Sequence, residues 1–157
     1  MRPGVRLACD VGTVRIGLSR SDATGMLAVP LPAVPAGPGS VDSVRAVIGE
    51  WEAIEVFVGL PLHLSGHEGA SSGLARDWAG ALAERAGIPV RLIDERLSTV
   101  QAQRGLQASG RSSKESRSRI DSASAVVVLQ SALEAERASG AAPGQLVVVH
   151  ETEGGTA

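Results

Sequence analysis

Carboxylate side chains stand at three points of the sequence where they could share a metal ion. Asp10 ends the apolar run "VRLAC". Asp94 and Glu95 close a second apolar run, and Asp121 opens the pattern "IDSASAVVVLQ". Buried carboxylates carry a large desolvation cost, and several of them close together repel one another unless a cation offsets their charge. Carboxylate oxygens of this kind favour Mg²⁺ or Mn²⁺ as that cation.

The chemistry that such an acidic cluster supports is hydrolysis of a phosphodiester. Two ions about 3.5–4 Å apart would stabilise the attacking and leaving oxygens of an in-line displacement, with water as the nucleophile. No serine or cysteine with a paired base is evident in the sequence. Zinc would need cysteine or histidine ligands at suitable spacing, whereas Cys9 is alone and His63 and His67 share one loop.

Each acid also has an ordinary structural explanation. Asp10 in "DVG" is a typical turn residue, and Asp121 is a typical acid for the first turn of a helix. Asp94 and Glu95 are of a type that is usually exposed at the surface. Because side chains alternate along a strand, these two neighbours point to opposite faces, so only one of them is expected to reach a shared site. The residues alone leave open which one.

Apolar periodicity and turn signals predict five strands and four helices along the chain. The strands are expected at 5–9, 15–21, 26–34, 54–60 and 89–94, and the helices at 40–53, 74–86, 98–108 and 120–138. Ser40 is predicted to cap the first helix. Pro30 and Pro32 favour an edge position for the third strand.

The connections between these elements indicate the topology. The tight "DVGT" turn predicts an antiparallel hairpin of strands 1 and 2, and the helix between strands 4 and 5 predicts parallel neighbours. The expected fold class is therefore α/β, with a mixed five-stranded sheet of three antiparallel strands followed by parallel strands, and helices on both faces. With strands 1 and 4 in the centre, the acids at their ends meet at one edge of the sheet.

Length and composition predict one folded domain with a short tail. The chain has 157 residues, of which 43% are hydrophobic and only 2% aromatic, so the core must consist of Val, Leu, Ile and Ala. The domain is expected at 1–140 and a flexible tail at 141–157. Within the tail, "LVVV" at 146–149 is either an added edge strand or part of a disordered end.

The charge distribution indicates a nucleic-acid partner, although the net charge of −2 alone argues weakly against one. Segment 91–119 holds seven basic and three acidic residues. Phosphate contacts from such a segment give affinity with little sequence specificity. The residues expected to contact nucleic acid are Arg15, Arg96, Arg104, Arg111, Lys114, Arg117 and Arg119. No secretory signal and no apolar run of about 20 residues is visible, so a soluble cytoplasmic protein without a membrane partner is expected.

Four motifs, in order, resemble those of a known family. "CDVGTVRIGLSRSD", "VGLPLHLSGHEG", "DERLST" and "IDSASAVVVLQ" are similar to the motifs of the YqgF family, bacterial RNase H-like proteins described as candidate pre-16S rRNA nucleases or Holliday junction resolvase homologues. The resemblance covers about residues 5–135. His63 and Ser65 depart from the family, in which Asn and Asp are common there, and Ser98 replaces a frequent Thr.

The resemblance implies an RNase H-like fold and a site of three acids that are both catalytic residues and metal ligands. These are Asp10, Glu95 and Asp121, so the resemblance selects Glu95 over Asp94. It also implies a hydrolase dependent on Mg²⁺ or Mn²⁺.

The expected function is that of an endonuclease in the 5′-end maturation of pre-16S ribosomal RNA. The alternatives are a Holliday junction resolvase acting on branched DNA and a non-catalytic nucleic-acid-binding module. The expected partner is structured RNA, or branched DNA under the first alternative, and the protein is expected to be a monomer or a homodimer. A sugar kinase with a "DVGT"-type phosphate turn would need two domains, for which this chain is too short.

Overall fold

A computed structural model describes residues 1–62, 65–97 and 122–149. These residues form a six-stranded sheet in the order β3-β2-β1-β4-β5-β6. The strands are β1 (Arg6–Val11), β2 (Arg15–Ser21), β3 (Ala28–Pro35), β4 (Glu55–Leu60), β5 (Val90–Asp94) and β6 (Gln145–Leu146). The helices are α1 (Ser40–Trp51), α2 (Ala70–Ala86) and α3 (Ala123–Ser139), and one 3-10 turn covers Glu95–Leu97.

The strand directions confirm the predicted mixed sheet. β1 pairs antiparallel with β2, and β2 antiparallel with β3. β1, β4 and β5 run parallel to one another, so the first and fourth strands are central as expected. β6 adds a sixth strand, antiparallel to β5, where five were predicted. Of the apolar patch at 146–149, Leu146 lies in this edge strand, and the N–H of Val147 donates to the carbonyl of Val90 at 2.9 Å.

Two layers of helix cover the two faces of the sheet, and strand alternation decides which residues meet which layer. Leu7, Val58 and Leu92 face the core under α1 and α2. Ala8, Phe57 and Ile93, each next to one of these in sequence, face the core under α3. Within the described residues, no helix is long and apolar enough to cross a membrane.

Some helix boundaries differ from the prediction. Ser40 is the first residue of α1 rather than its cap; Gly39 occupies the cap position, and the Ser40 hydroxyl accepts a hydrogen bond from Nε1 of Trp78 at 2.9 Å. α2 starts at Ala70, four residues earlier than predicted, and ends before Gly87 at a φ of 73°, as the glycine signal indicated. The predicted helix at 98–108 and the basic segment that follows it lie outside the described residues.

Buried charges tie α3 to the sheet at the end where β1 and β4 begin. Arg6 is fully buried and donates to Oε2 of Glu136 at 3.0 Å. Arg2 bridges Glu136 and the fully buried Glu55, with 2.7 Å to an oxygen of each. The Arg2 hydrogen bonds outweigh burial and lower the pKa of Glu136 to about 2. Paired in this way, the buried charges avoid the large cost of an isolated ion.

A serine at the start of α3 is inserted into the sheet. The register between β2 and β3 shifts between Ile16 and Leu18. The buried hydroxyl of Ser122 lies at this irregularity, where it accepts from the N–H of Leu18 at 3.1 Å and donates to the carbonyl of Leu31 at 2.7 Å. One side chain thus replaces a ladder contact and anchors the helix to β2 and β3.

Replacing this serine is expected to destabilise the fold. Ser122→Ala leaves the buried N–H of Leu18 and the partly buried carbonyl of Leu31 without this partner, which costs about 1–3 kcal/mol. The change is measured by denaturant unfolding of wild type and variant. Ser124→Ala is the matched control, because Ser124 is exposed in the first turn of α3, two residues after Ser122. Equal stability of both variants would contradict the anchoring role.

Candidate active site

Two of the three predicted acids meet at the end of the sheet where the parallel strands finish. Asp10 is the fifth residue of β1 and pairs with Gly17 across the hairpin. Glu95 begins the 3-10 turn directly after β5. The side chains of these residues share a hydrogen bond, although β4 runs between their strands.

Gly59 in β4 provides the room for this contact. The pairing of Cys9 with Val58 sets Asp10 level with Gly59. A Cβ atom placed on Gly59 would lie 2.6 Å from Oε1 of Glu95 and 3.0 Å from Cγ2 of Val128 on α3. Any other residue here would therefore occupy the space in which the Glu95 carboxyl crosses β4.

Strand alternation places the pair on the α3 face. Asp10 lies two residues after Ala8, and Glu95 lies two residues after Ile93; both earlier residues pack under α3. Asp94 has the opposite parity and binds Arg96 instead, with 2.6 Å between Oδ2 and Nη2. Of the two neighbouring acids, Glu95 contacts Asp10 and Asp94 pairs with Arg96. That Glu95 belongs to a catalytic site stays a prediction.

Glu95 binds its proton more tightly than an ordinary glutamate because it is buried beside Asp10. Burial is the largest cause, followed by the charge of Asp10 and the hydrogen bond to it, and together they raise the pKa of Glu95 to about 7. Two carboxyl groups held this close cannot both ionise without a strong repulsion. Near neutral pH the repulsion between the two carboxyl groups is therefore relieved either by a proton on Glu95 or by a cation bound between them.

The donor set fits a hard divalent ion. Both ligand groups are carboxylates, which suit Mg²⁺ or Mn²⁺. Cys9 precedes Asp10 but is fully buried on the other face, and burial raises the pKa of its thiol. Among the described residues no three His, Cys, Asp or Glu side chains lie close enough to hold a metal. The predicted third ligand, Asp121, lies outside the described residues.

The predicted nucleic-acid contacts divide into two groups. Arg15, at the start of β2, and Arg96, in the 3-10 turn, are exposed at the same end of the sheet as the acid pair. The remaining five lie outside the described residues, and they are Arg104, Arg111, Lys114, Arg117 and Arg119. His63 also lies outside them, whereas His67 is exposed in the loop before α2.

Two positioning residues were missed by the sequence analysis. Gly59 lies inside β4, within the strand predicted at 54–60, but its role in leaving room for Glu95 was not predicted. The signal was available, since a glycine within an apolar strand often marks a close approach by another group. Ser122 follows Asp121 in a motif that was interpreted only through its acid. Its role depends on a register shift, which no pattern in the sequence indicates.

Comparison with known proteins identifies the family. The family model described as "RuvX: Holliday junction resolvase" matches residues 4–135. This chain belongs to the RuvX family. The family is the same one as YqgF, so the resemblance drawn from the four motifs is confirmed.

Curated RuvX-type relatives match nearly the whole chain. A candidate pre-16S rRNA nuclease of Clavibacter michiganensis subsp. michiganensis is 53% identical over 150 residues, covering 94% of this chain and 93% of the relative. One from Thermobifida fusca is 48% identical over 155 residues, covering 94% and 98%. The alignments extend over 150 or more residues, beyond the region that the family model matches.

A solved structure confirms the RNase H-like fold of this RuvX-family chain. Thermus thermophilus RuvC in complex with a Holliday junction substrate superposes with a TM-score of 0.61, covering 91% of this chain and 99% of that one, at 19% identity. Identity at this level supports the shared fold and nothing finer.

Filling the space at Gly59 is expected to separate the two acids. In Gly59→Ala, the added methyl displaces the Glu95 carboxyl from Asp10, so the pKa of Glu95 should fall from about 7 towards its ordinary value of 4.5. The titration is measured by NMR of the glutamate carboxyls. Gly80→Ala on α2 is the control, because an added Cβ meets nothing there within 4 Å. An unchanged Glu95 titration in folded Gly59→Ala would refute the role of Gly59.

Stability should depend on pH through Glu95. The folded protein binds this proton more tightly than the unfolded chain, so the stabilisation is full below pH 4.5 and is lost as the pH rises through 7. In EDTA, Glu95→Gln should therefore be more stable than wild type above pH 7, by on the order of 1 kcal/mol after allowance for solvent screening.

The measurement is thermal unfolding of both proteins from pH 5 to 8.5. Glu84→Gln on α2 serves as the control for loss of an exposed carboxylate. Parallel pH profiles of wild type and Glu95→Gln would contradict the raised pKa.

Proposed function

We propose that this protein is a divalent-metal-dependent endonuclease that hydrolyses phosphodiester bonds of precursor 16S ribosomal RNA in the cytoplasm. The observation that carries the proposal is the Asp10–Glu95 pair, two acids held together across β4 where the fold gains nothing from their repulsion. Membership of the RuvX family and the names of the curated relatives support the nuclease assignment.

Asp10 and Glu95 would bind Mg²⁺ or Mn²⁺ through their oxygens, with Asp121 as the third ligand. Ions held there would supply charge stabilisation for phosphodiester hydrolysis. Glu95 would have to lose its proton to act as a ligand, because a metal ligand carboxyl group is deprotonated. Because the Glu95 carboxylate passes over Gly59, its position is already determined before substrate binds.

The assignment of Asp121 draws support from its neighbour. Ser122 directly follows Asp121 in sequence and is bonded to Leu18 of β2. Leu18 pairs with Cys9, the residue before Asp10. The described chain therefore enters α3 close to the end of β1, which is where a third carboxylate is needed.

The substrate assignment has one serious alternative. The description of the family model names Holliday junction resolvase activity, which favours branched DNA as a second candidate substrate. The curated relatives, at 53% and 48% identity, are named for pre-16S rRNA, and these names favour RNA for this chain. A non-catalytic binding module explains the basic residues but gives no reason for two repelling acids in contact.

Removing one acid should abolish cleavage while binding persists. Asp10→Asn keeps the shape of the side chain but loses the ligand charge, so cleavage should fall by at least about 10²-fold, in line with the loss of a group that stabilises transition-state charge. Fragments of precursor 16S rRNA and a four-way DNA junction are offered separately with Mn²⁺. Affinity in EDTA should stay within a few-fold of wild type.

Asp77→Asn, on the exposed face of α2, is the matched control and should cleave at the wild-type rate. Undiminished cleavage by pure Asp10→Asn would reject the site. Cleavage of the junction alone would replace the RNA assignment with the resolvase alternative.

A further inference from the structure

Asp94, the acid that does not contact Asp10, forms a bidentate ion pair with Arg96. Asp94 accepts from Nε of Arg96 at 3.0 Å and from Nη2 at 2.6 Å, on different carboxylate oxygens. The backbone N–H of Arg96 also donates to Oδ1 of Asp94 at 2.9 Å. Nε also lies 3.1 Å from Oδ2, so four contacts between residues two apart fix both the plane and the direction of the guanidinium. Such a fork-to-fork pair is specific in geometry as well as favourable in energy.

The Asp94–Arg96 pair lies at the same end of the sheet as the Asp10–Glu95 pair, and Asp94 borders an open cleft. Asp94 and Gly66 both line a cleft of about 660 Å³ between β5, α3 and the loop before α2. Gly66 has a φ of 88°, and a Cβ on it would lie 3.4 Å from Nη1 of Arg96. The loop backbone thus passes close to the guanidinium on the side away from Asp94. Asp94 and Arg96 are the residues directly before and after Glu95 in sequence. The Glu95 side chain contacts Asp10 on the opposite face of the sheet from Asp94.

We propose that Asp94 is a positioning residue that holds the Arg96 guanidinium against a phosphate of the bound nucleic acid, adjacent to the bond that is cut. The inference rests on the proposed nuclease function and deepens it. An exposed arginine loses much rotamer freedom when it binds a phosphate, and a guanidinium held in advance loses less. Asp94 supplies this restraint from the face of β5 that does not carry the site.

The effect of Asp94→Asn on nucleic-acid affinity distinguishes a positioning role from a simple charge effect. If Asp94 were only a negative charge near the substrate, Asp94→Asn would remove a repulsion and strengthen nucleic-acid binding. If Asp94 positions Arg96, the same change weakens binding, because it releases the guanidinium. If Asp94 were a metal ligand, the change would instead shift the Mn²⁺ concentration needed for half-maximal activity.

The test is a double-mutant cycle of Asp94→Asn and Arg96→Gln. Arg96→Gln should lower kcat/KM by about 10- to 100-fold, the usual range for a hydrogen bond to a charged group. Asp94→Asn should lower it by about 5- to 50-fold without moving the Mn²⁺ midpoint. Because Asp94 acts through Arg96, the double variant should match Arg96→Gln alone. Asp94→Glu, which keeps the carboxylate, should recover part of the loss.

A second bidentate pair provides the matched control. Arg76 donates from Nε and Nη2 to the two oxygens of Glu68, at 2.7 Å each, on the rim of the same cleft. Glu68→Gln and Arg76→Gln should leave kcat/KM within about twofold of wild type. An equal loss in the control pair would mean that any ion pair around the cleft matters for folding, and would overturn the specific role of Asp94.

Binding in EDTA separates this inference from the proposed function. Arg96→Gln should reduce the slope of log K against log salt by about 0.7–0.9, the value of one phosphate contact, and Asp94→Asn should weaken binding in the same assay. If wild type cleaves neither substrate, the proposed function fails while this slope still tests the phosphate contact. Tighter binding by Asp94→Asn, or additive losses in the double variant, would overturn the positioning role.

Discussion

The architecture of this protein depends on bringing two like charges into contact across an intervening strand. Three separate features must agree before Glu95 can reach Asp10. The strand order must place β4 between β1 and β5, the parity of β1 and β5 must put both acids on the α3 face, and position 59 must lack a side chain. The contact between the two carboxyl groups does not itself stabilise the fold, because like charges repel. The agreement of the three features is understandable only if the charge they concentrate has a use.

The carboxylates at the two ends of the sheet have different electrostatic environments. At the end where β1 and β4 begin, Glu55 and Glu136 are each matched by arginines at 2.7–3.0 Å. At the other end, burial and the neighbouring charge of Asp10 raise the pKa of Glu95 to about 7. The first end of the sheet is thus stabilised by paired opposite charges, whereas the second holds two carboxyl groups that repel each other, an arrangement typical of functional sites.

The sequence predicted most of the topology because the strong signals were local. The "DVGT" turn, the continuous apolar strand before Gly59 and the helix between β4 and β5 determine the hairpin and the parallel pair without long-range information. The acids were found because each stands at the end of an apolar run. Two prolines correctly marked β3 as an edge strand.

The parts that could not be predicted depend on contacts between distant segments. The choice of Glu95 over Asp94 needed either the family resemblance or knowledge of which face α3 covers. Ser122 is important because β2 and β3 slip in register at Ile16–Leu18, and the short β6 pairs with β5 through only two residues. These depend on how separate segments meet in three dimensions, which a periodic pattern along one segment does not encode.

The burial of Cys9 has a consequence for how the protein tolerates its chemical surroundings. It is the one cysteine of the chain, it sits directly beside the acid pair in sequence, and β1 directs it into the core under α1 and α2. A thiol kept neutral and covered is a poor nucleophile and a poor ligand. Alkylating agents, peroxide and thiophilic metals such as cadmium or mercury are therefore not expected to react with Cys9 in the folded protein.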